Sequence, residues 1–194
     1  MIPKNTSKII LFLLKSIDKF GYNINQISRL NKISVGSAFK ILKELEKSKI
    51  ILKTEMSNAS YYKLNFSNTE TIKLCELLLL TEKRTLKGHA KIYAEEIMNF
   101  REAEMIILFG SVLKGKEFND VDILFVTNQV KKVNTFCLDI SKIRTKPVVP
   151  LILKKEDLIK AIKQRKEPIL DIIKNGVVLK GESVFIEVLR DVDS

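Results

Sequence analysis

The sequence predicts an α+β protein with two domains and a helical connector between them. Three observations predict this class: residues 1–67 combine helical patterns with a pair of extended segments, residues 68–100 hold two apolar helical runs, and residues 101–194 alternate short apolar strands with helices. A chain of 194 residues with 45% hydrophobic side chains can bury a core in each of two small domains.

Composition argues against several other classes of protein. The longest apolar run, Leu77 to Leu80, is far shorter than the roughly 20 residues that a membrane-spanning helix needs. The first residues lack the continuous apolar segment of a signal peptide, so we expect a soluble, cytoplasmic protein. Cys75 and Cys137 form no C-x-x-C pair, so neither a disulfide framework nor a structural zinc site is predicted. Both cysteines are expected to be small core residues.

The first 67 residues begin with three helical patterns. Ser7 is expected to cap the first helix, which ends at Phe20-Gly21, and Asn25 to cap a short second helix. Ser34 opens the third helix after a short turn. The inward stripe of this third helix consists of Ala38, Leu42 and Leu45, with Ile41 beside them. Small or cationic residues point the other way: Gly36, Ser37, Lys40 and Lys43.

Two extended segments follow the third helix, Ile50 to Glu55 and Ser60 to Phe66, with a polar tip at 56–59 that predicts a β-hairpin. Three helices followed by a hairpin resemble the winged helix-turn-helix fold of many prokaryotic transcription regulators. The resemblance implies that the third helix enters the major groove of duplex DNA, while lysines of helix and wing bind phosphates. The residues expected to contact DNA are Ser34, Gly36, Ser37, Lys40, Lys43, Lys53, Asn58 and Lys63.

Positive charge is concentrated in the same region. Residues 1–67 hold 12 Lys and Arg against 4 Asp and Glu, a net charge of +8 within a total of +11. Residues 68–100 are neutral, and residues 101–194 carry +3. A basic segment attracts polyanions through the release of counterions, and nucleic acid is the usual partner. The alternative is a winged helix that only dimerises or binds protein, with its lysines as a solvated face.

The connector holds two helical patterns, Thr69 to Thr81 and Leu86 to Phe100. Its neutral charge and apolar stripes suit packing between the domains or against a second subunit. A homodimer is expected, because winged-helix regulators commonly address two-fold operators. His89, the only histidine, stands near Lys87 and Lys91 and is interpreted as a surface residue; the less favoured alternative is a general base.

The C-terminal region contains two apolar strand patterns with polar residues at their ends. Glu104 to Phe109 reads as a buried strand that ends abruptly in Gly110-Ser111, and Asp120-Val121-Asp122 opens the next strand. Because side chains alternate along a strand, Asp120 and Asp122 are expected on the same side. Two carboxylates placed in this way can share divalent cations. The alternative is that the aspartates only cap a turn and the glycine only bends the chain.

The segments Phe109-Gly110-Ser111-Val112-Leu113-Lys114-Gly115 and Asn119-Asp120-Val121-Asp122 resemble the signature of the polymerase-β-type nucleotidyltransferases. The resemblance implies that Gly110 and Ser111 bind the phosphates of a nucleoside triphosphate, with ATP as the expected nucleotide. It also implies that Asp120 and Asp122 are catalytic and hold Mg²⁺, which prefers oxygen ligands and neutralises charge on the leaving pyrophosphate. Lys114 stands where an arginine is common and is expected to add a phosphate contact.

The remaining patterns predict a small α/β domain, with helices at 131–145, 155–164 and 167–175, strands at 148–153 and 177–179, and a last helix. This arrangement resembles the minimal domain of the superfamily, which occurs fused to winged helices in archaeal and bacterial proteins.

One part of the family pattern is missing. Active members carry a third carboxylate on the strand that follows, but residues 146–153 contain no acid; Glu156, Asp157 and Asp139 are the nearby substitutes. Two prolines also predict an edge strand or an irregular one.

The preferred interpretation is therefore a DNA-binding regulator whose second domain binds a nucleoside triphosphate and Mg²⁺. The alternative is an active nucleotidyltransferase that modifies a protein or small-molecule hydroxyl, for instance as an antitoxin, and a third reading is a scaffold that binds neither.

Overall fold

The computed structural model describes residues 2–18, 20–56, 58–115 and 117–193, and the chain divides into two units. The first unit ends at Leu78, and the second runs from Leu79 to Val192. The boundary falls inside helix α4, which spans Thr69–Arg84. The protein has the mixed α+β composition that the sequence predicts.

The described residues of the first unit form three helices and three strands ahead of α4: α1 (Lys4–Lys15), β1 (Tyr22–Asn23), α2 (Ile24–Asn31), α3 (Val35–Lys47), β2 (Ile51–Met56) and β3 (Ala59–Leu64). The strands form an antiparallel sheet in the order β1-β3-β2. The predicted inward stripe of α3 is buried at Ala38, Leu42 and Leu45. The hairpin is also present, although Ser57 of its predicted tip lies outside the described residues. Strand β1 was not predicted.

Two predicted helix starts in this unit are wrong. Helix α1 begins at Lys4, so Ser7 lies inside it and donates from Oγ to the carbonyl of Pro3, four residues earlier. Helix α2 is capped by Asn23, whose side chain accepts from the amide of Gln26 while the Gln26 side chain accepts from the amide of Asn23. This reciprocal capping box satisfies two amides, which explains why Asn23 and not Asn25 is the cap.

The end of the first helix also differs from the prediction. Helix α1 stops at Lys15, and Gly21 belongs to the approach to β1. Gly21 has a φ of +82°, and a Cβ there would collide with the carbonyl oxygen of Tyr62 on β3. A glycine is therefore needed because β1 and β3 approach closely at this point, not because a helix ends there. The third helix begins as predicted, since the Ser34 side chain accepts from the amide of Ser37.

The second unit contains a four-stranded sheet and the remaining helices: α5 (Gly88–Ile97), β4 (Met105–Phe109), β5 (Val121–Val126), α6 (Val130–Ile143), β6 (Val148–Leu153), α7 (Lys155–Lys163), α8 (Glu167–Asn175), β7 (Val177–Lys180) and α9 (Glu182–Asp193). The strand order is β6-β5-β4-β7, with β5 and β6 parallel and the other neighbours antiparallel. Strand β6, which contains Pro150, is at the edge, as its prolines predict.

Helices cover both faces of this sheet. One face packs Ile106, Val121, Ile123 and Phe125 against buried residues of α5 and α6, among them Tyr93 and Cys137. On the other face, Met105, Ile107, Leu124 and Val126 are buried as well, and helix α8 contacts β4 on this side, where a Cβ at Gly176 would meet the side chain of Ile107. The second helix of the predicted connector thus contributes to the core of the second unit.

Both cysteines are buried, as expected, and both are free thiols. In the described part of the chain, no helix combines the length and the apolar character that crossing a membrane requires.

Candidate functional site

The candidate site lies where three neighbouring strands of the second unit come into register. Phe109, the last residue of β4, pairs with Asp122 of β5, and Asp122 pairs with Val149 of β6. Val121 and Ile123, on either side of Asp122, point into the core beneath α5 and α6. Because side chains alternate along a strand, Asp122 points to the opposite face of the sheet. The three side chains form a partly exposed row on that face.

The chain turns sharply at the end of this row. Gly110 has a φ of +83°, and a Cβ at this position would collide with the carboxylate oxygen Oδ2 of Asp122. Only glycine combines this backbone conformation with so close an approach to a side chain. The Gly110-Ser111 turn and Asp122 are therefore in direct contact, although 11 positions separate Ser111 and Asp122 along the chain.

A short 3₁₀ turn, Ser111–Lys114, continues from Gly110. The amide of Leu113 donates to the carbonyl of Gly110, and Val112 is buried in the core beneath α5 and α6. Val112 anchors the turn while Ser111 is half-buried and Lys114 is exposed. The turn thus holds a hydroxyl and a cationic side chain near the row of Phe109, Asp122 and Val149.

The two aspartates differ in position. Asp122 belongs to β5 and is half-buried, whereas Asp120 directly precedes that strand. Burial raises the pKa of Asp122, and the negative charge of Asp120 raises that pKa further. A divalent cation would relieve this repulsion, and carboxylate oxygens are the ligands that Mg²⁺ prefers. Two carboxylates beside a glycine-serine turn therefore fit such an ion, with Asp120 and Asp122 as the residues that would hold it.

Strand β6 adds no acid to this row. Val149 and Leu151 have the alternation that places them on the same face as Asp122, and both are apolar. In the described ranges, no group of three or more His, Cys, Asp and Glu side chains is arranged to hold a metal ion.

The nearby acids proposed as substitutes lie elsewhere. Helix α7, with exposed Glu156 and Asp157, starts after Leu153, while Asp122 is in register with Val149 near the other end of β6. Four residues of strand separate the two levels by about 13 Å. Asp139 lies on α6, which covers the opposite face of the sheet, and it forms an exposed ion pair with Lys142 at 2.9 Å. None of these three acids takes the position of the missing carboxylate.

Comparison with known proteins bears on this region. Residues 91–184 match a family model described as Polymerase beta, Nucleotidyltransferase. The match indicates a nucleotidyltransferase-family domain over this segment. The match starts within α5 and ends at the beginning of α9, so it includes the whole sheet, the Gly110-Ser111 turn and both aspartates. No curated protein and no solved structure matched the chain.

His89 borders the same domain. It is exposed near the start of α5, and its ring meets the edge of Phe118 with the centroids 5.4 Å apart. Phe118 in turn contacts Tyr93, whose hydroxyl donates to the carbonyl of Lys146 at 2.9 Å and accepts from its amide. These contacts hold the segments that lead into β5 and β6. His89 is thus exposed, as predicted, and its ring packs on an aromatic side chain.

The residues expected to contact DNA lie on α3 and the hairpin of the first unit. Gly36, Lys40 and Lys43 are exposed on α3, whereas the hydroxyl of Ser34 and the amide of Ser37 are engaged in the helix cap. On the hairpin, Asn58 is exposed at the tip with a φ of +63°, Lys53 pairs with Glu55 at 2.6 Å, and Lys63 is half-buried. Lys53 is thus exposed like the α3 lysines but is engaged in an ion pair, and Lys63 is the least accessible of the four.

One exposed residue of α3 was missed. Phe39 is 55% exposed and shares a helix face with Gly36, Lys40 and Lys43, because positions 36, 39, 40 and 43 follow the spacing of one stripe. The same periodicity that identified the buried stripe from the sequence also predicts an outward Phe39, so the signal was present in the spacing.

Proposed function

We propose that this protein is a DNA-binding regulator whose nucleotidyltransferase-family domain binds a nucleoside triphosphate together with Mg²⁺. Residues 1–67 form the winged helix-turn-helix module in this proposal. The observation that carries the nucleotide part is the direct packing of the Gly110-Ser111 turn on Asp122, with Asp120 close enough to raise the pKa of Asp122.

The turn supplies the groups that a triphosphate needs. Backbone amides of a tight turn bind phosphate oxygens, and Gly110 leaves room for close approach because it has no Cβ. Ser111 adds a hydroxyl, and the exposed side chain of Lys114 adds a positive charge that can pair with a phosphate. Mg²⁺ held by Asp120 and Asp122 would neutralise charge on the phosphates. ATP is the first nucleotide to test.

The side chains of strand β6 favour a site that binds a nucleotide without transferring it efficiently. The positions on the Asp122 face, Val149 and Leu151, carry neither a proton acceptor nor a further oxygen ligand. General-base assistance alone contributes about 100- to 10,000-fold to a rate. A site that binds the ground state but lacks this assistance suits a sensor, because its binding energy is available to change another property of the protein.

The first unit supports the DNA-binding part. Helix α3 exposes a small residue at its start and two lysines further along, which lets it approach a groove and bind phosphates. The net charge of +8 over residues 1–67 favours a polyanionic partner.

A thermal shift measurement tests the nucleotide site. We expect ATP with Mg²⁺ at about 100 times its dissociation constant to raise the melting temperature of the full chain by several degrees, since binding to the folded state alone contributes about 2.7 kcal/mol. Asp120→Ala/Asp122→Ala should abolish the shift. Asp139→Ala, which removes an exposed acid on the opposite side of the sheet, is the matched control and should retain it. Equal shifts in all three proteins would contradict the assignment.

The second candidate function is an active nucleotidyltransferase with a protein or small-molecule acceptor, which the family match of residues 91–184 favours. Incubation with triphosphates labelled at the α-phosphate, Mg²⁺ and candidate acceptors, including the protein itself, separates the two functions. We expect no transfer above that of Asp122→Ala. Multiple turnovers by the wild-type chain that this variant lacks would establish the enzyme and overturn the sensor.

A further inference from the structure

We propose that Phe39 gives this protein a preference for thymine, by packing on the 5-methyl group of thymine in the major groove of DNA. This inference rests on the proposed DNA-binding function and extends it to the kind of base that α3 reads. The starting observation is a stripe on α3 that places Phe39 among Gly36, Lys40 and Lys43.

Phe39 does not hold α3 in place. The buried residues Ala38, Leu42 and Leu45 attach the helix to the first unit, while Phe39 is 55% exposed. Val35, one turn earlier, is 47% exposed and extends the apolar part of the stripe to the N-terminal end of the helix. Phenylalanine also has a lower helix propensity than alanine, so the folded helix gains little from it. Its large apolar surface is available for a partner.

The charges around Phe39 favour nucleic acid over a protein surface as that partner. Lys40 and Lys43 are exposed on the same side of α3, and an apolar protein surface would have to strip water from them without compensation. A duplex offers phosphates to the lysines at the edges of the groove. Its floor carries one type of apolar group, the thymine methyl, which phenylalanine can contact.

The position of Phe39 along α3 fits this contact. It is the fifth residue of a helix that begins at Val35, and the N-terminal part of a recognition helix is the part that contacts base edges. Gly36, three residues earlier on the same face, has open space where a Cβ would be and does not hold the helix away from the groove. The combination assigns base reading to Phe39 and phosphate binding to the two lysines.

The test compares thymine with uracil, which differs at this position only by the methyl group. The full chain is used to select binding sequences from a pool of random 20-base-pair duplexes, and the selected duplexes are then made with deoxyuridine in place of thymidine. Burial of one methyl group corresponds to roughly a fourfold change in affinity. We expect a loss of about fourfold for each contacted methyl in the wild-type protein, confined to one or two positions.

Phe39→Ala should bind the thymine duplex more weakly and should no longer distinguish it from the uracil duplex. The matched control is Leu138→Ala, which truncates another exposed apolar residue, 62% exposed, on α6 of the other unit, and should leave the discrimination intact. Lys40→Ala should weaken both duplexes equally. Circular dichroism should show that Phe39→Ala keeps its helices, because the side chain is outside the core.

Each contrary outcome has its own meaning. Equal affinity of the wild-type chain for thymine and uracil duplexes, or unchanged discrimination in Phe39→Ala, overturns methyl reading while DNA binding stands. Failure to bind any duplex at low salt overturns the DNA-binding proposal itself. A change in self-association of Phe39→Ala, measured as molecular mass in solution, with unchanged DNA affinity assigns the stripe to a protein contact.

Discussion

At the scale of single residues, the candidate site depends on Gly110 and Asp122, which constrain each other. The glycine adopts a left-handed backbone conformation and leaves the space that the Asp122 carboxylate fills. The carboxylate in turn is half-buried and close to a second acid, so its ionised form is disfavoured in the folded protein. The ionised Asp122 therefore lowers the stability of the metal-free fold, at a position where a bound cation would remove that destabilisation.

We expect Gly110→Ala to destabilise the second unit by about 1–3 kcal/mol, because it combines positive φ with a steric clash. Gly115→Ala is the control: Gly115 also has a positive φ, +63°, but open space surrounds the position of a Cβ. Thermal unfolding of both variants measures the difference, and the Gly110 variant should also lose the response to ATP and Mg²⁺. Equal destabilisation by the two substitutions would show that the clash between the new Cβ and the Asp122 carboxylate does not lower the free energy of unfolding.

The raised pKa of Asp122 has a defined consequence for stability. A carboxyl with a higher pKa in the folded than in the unfolded state destabilises the fold when ionised, so the cost is present above the folded pKa and disappears as the pH falls through it. We expect metal-free Asp122→Asn to melt at a higher temperature than the wild type at pH 7, with the two curves converging in acid. Asp139→Asn should show no such gain. A lower melting temperature of Asp122→Asn at pH 7 would contradict the assignment.

At the scale of elements, the parallel pairing of β5 and β6 decides which positions could supply the missing acid. Val149 is in register with Asp122, lies on the same face and is 44% exposed, whereas Val148 belongs to the buried core on the other face. A one-residue shift along a strand moves a side chain through the sheet to the opposite face. Of these two adjacent valines, only Val149 is therefore placed to complete the site.

We expect Val149→Asp to fold and, with Mg²⁺, to raise nucleotide transfer by roughly 100-fold or more above the wild-type background, the lower end of what a general base contributes. Without Mg²⁺ the third carboxylate should lower the melting temperature through repulsion with Asp122. Leu138→Asp makes the same charge change on an exposed helix and should alter neither property. Val148→Asp places an acid in the core and should destabilise the domain. Transfer rates and melting temperatures with and without Mg²⁺ separate these cases.

At the scale of the whole molecule, the uneven distribution of charge along the chain sets the expected salt dependence of DNA binding. Residues 1–67 carry most of the net charge, and Lys40 and Lys43 display part of it on α3. If about four phosphates are contacted, a fourfold rise in salt concentration lowers affinity by about 100-fold. A homodimer on a two-fold site would double the number of contacts and steepen this dependence.

We expect Lys40→Gln to weaken binding to all duplexes and to lower the slope of log affinity against log salt by about one. Lys131→Gln, an exposed lysine on α6 of the other unit, is the control and should leave the slope unchanged. Fluorescence anisotropy over a range of salt concentrations gives both values. An unchanged slope for Lys40→Gln would remove this lysine from the phosphate contacts.

The proposed regulatory function also requires that binding of ATP and binding of DNA be coupled. If ATP with Mg²⁺ changes the affinity for DNA, then DNA changes the affinity for ATP by the same factor, since the two effects share one coupling free energy. Titrating DNA with and without MgATP, and MgATP with and without DNA, measures that factor twice.

The sequence by itself determined most of the elements and the residue types of the candidate site. Hydrophobic periodicity identified α3, the hairpin, β4 and β5, because each of these patterns depends on burial within one element. The glycine-serine turn and the two aspartates were also visible, because together with the two strand patterns they resemble a known family signature. Helix starts were predicted less accurately. Ser7 and Asn25 are residue types that often cap helices, but the reciprocal hydrogen bonds between Asn23 and Gln26 decided the start of α2.

Only the tertiary structure decided which residues meet. The contact of Gly110 with Asp122 and the register of Asp122 with Val149 arise from strand pairing, which brings together residues far apart in the chain. The same pairing puts Asp122 level with Val149, about 13 Å along β6 from Leu153, so Glu156 in the helix after Leu153 lies beyond the other end of the strand, although its sequence position next to β6 made it a substitute to consider. Long-range pairing depends on the packing of the whole sheet between its helices, so local sequence patterns do not contain it.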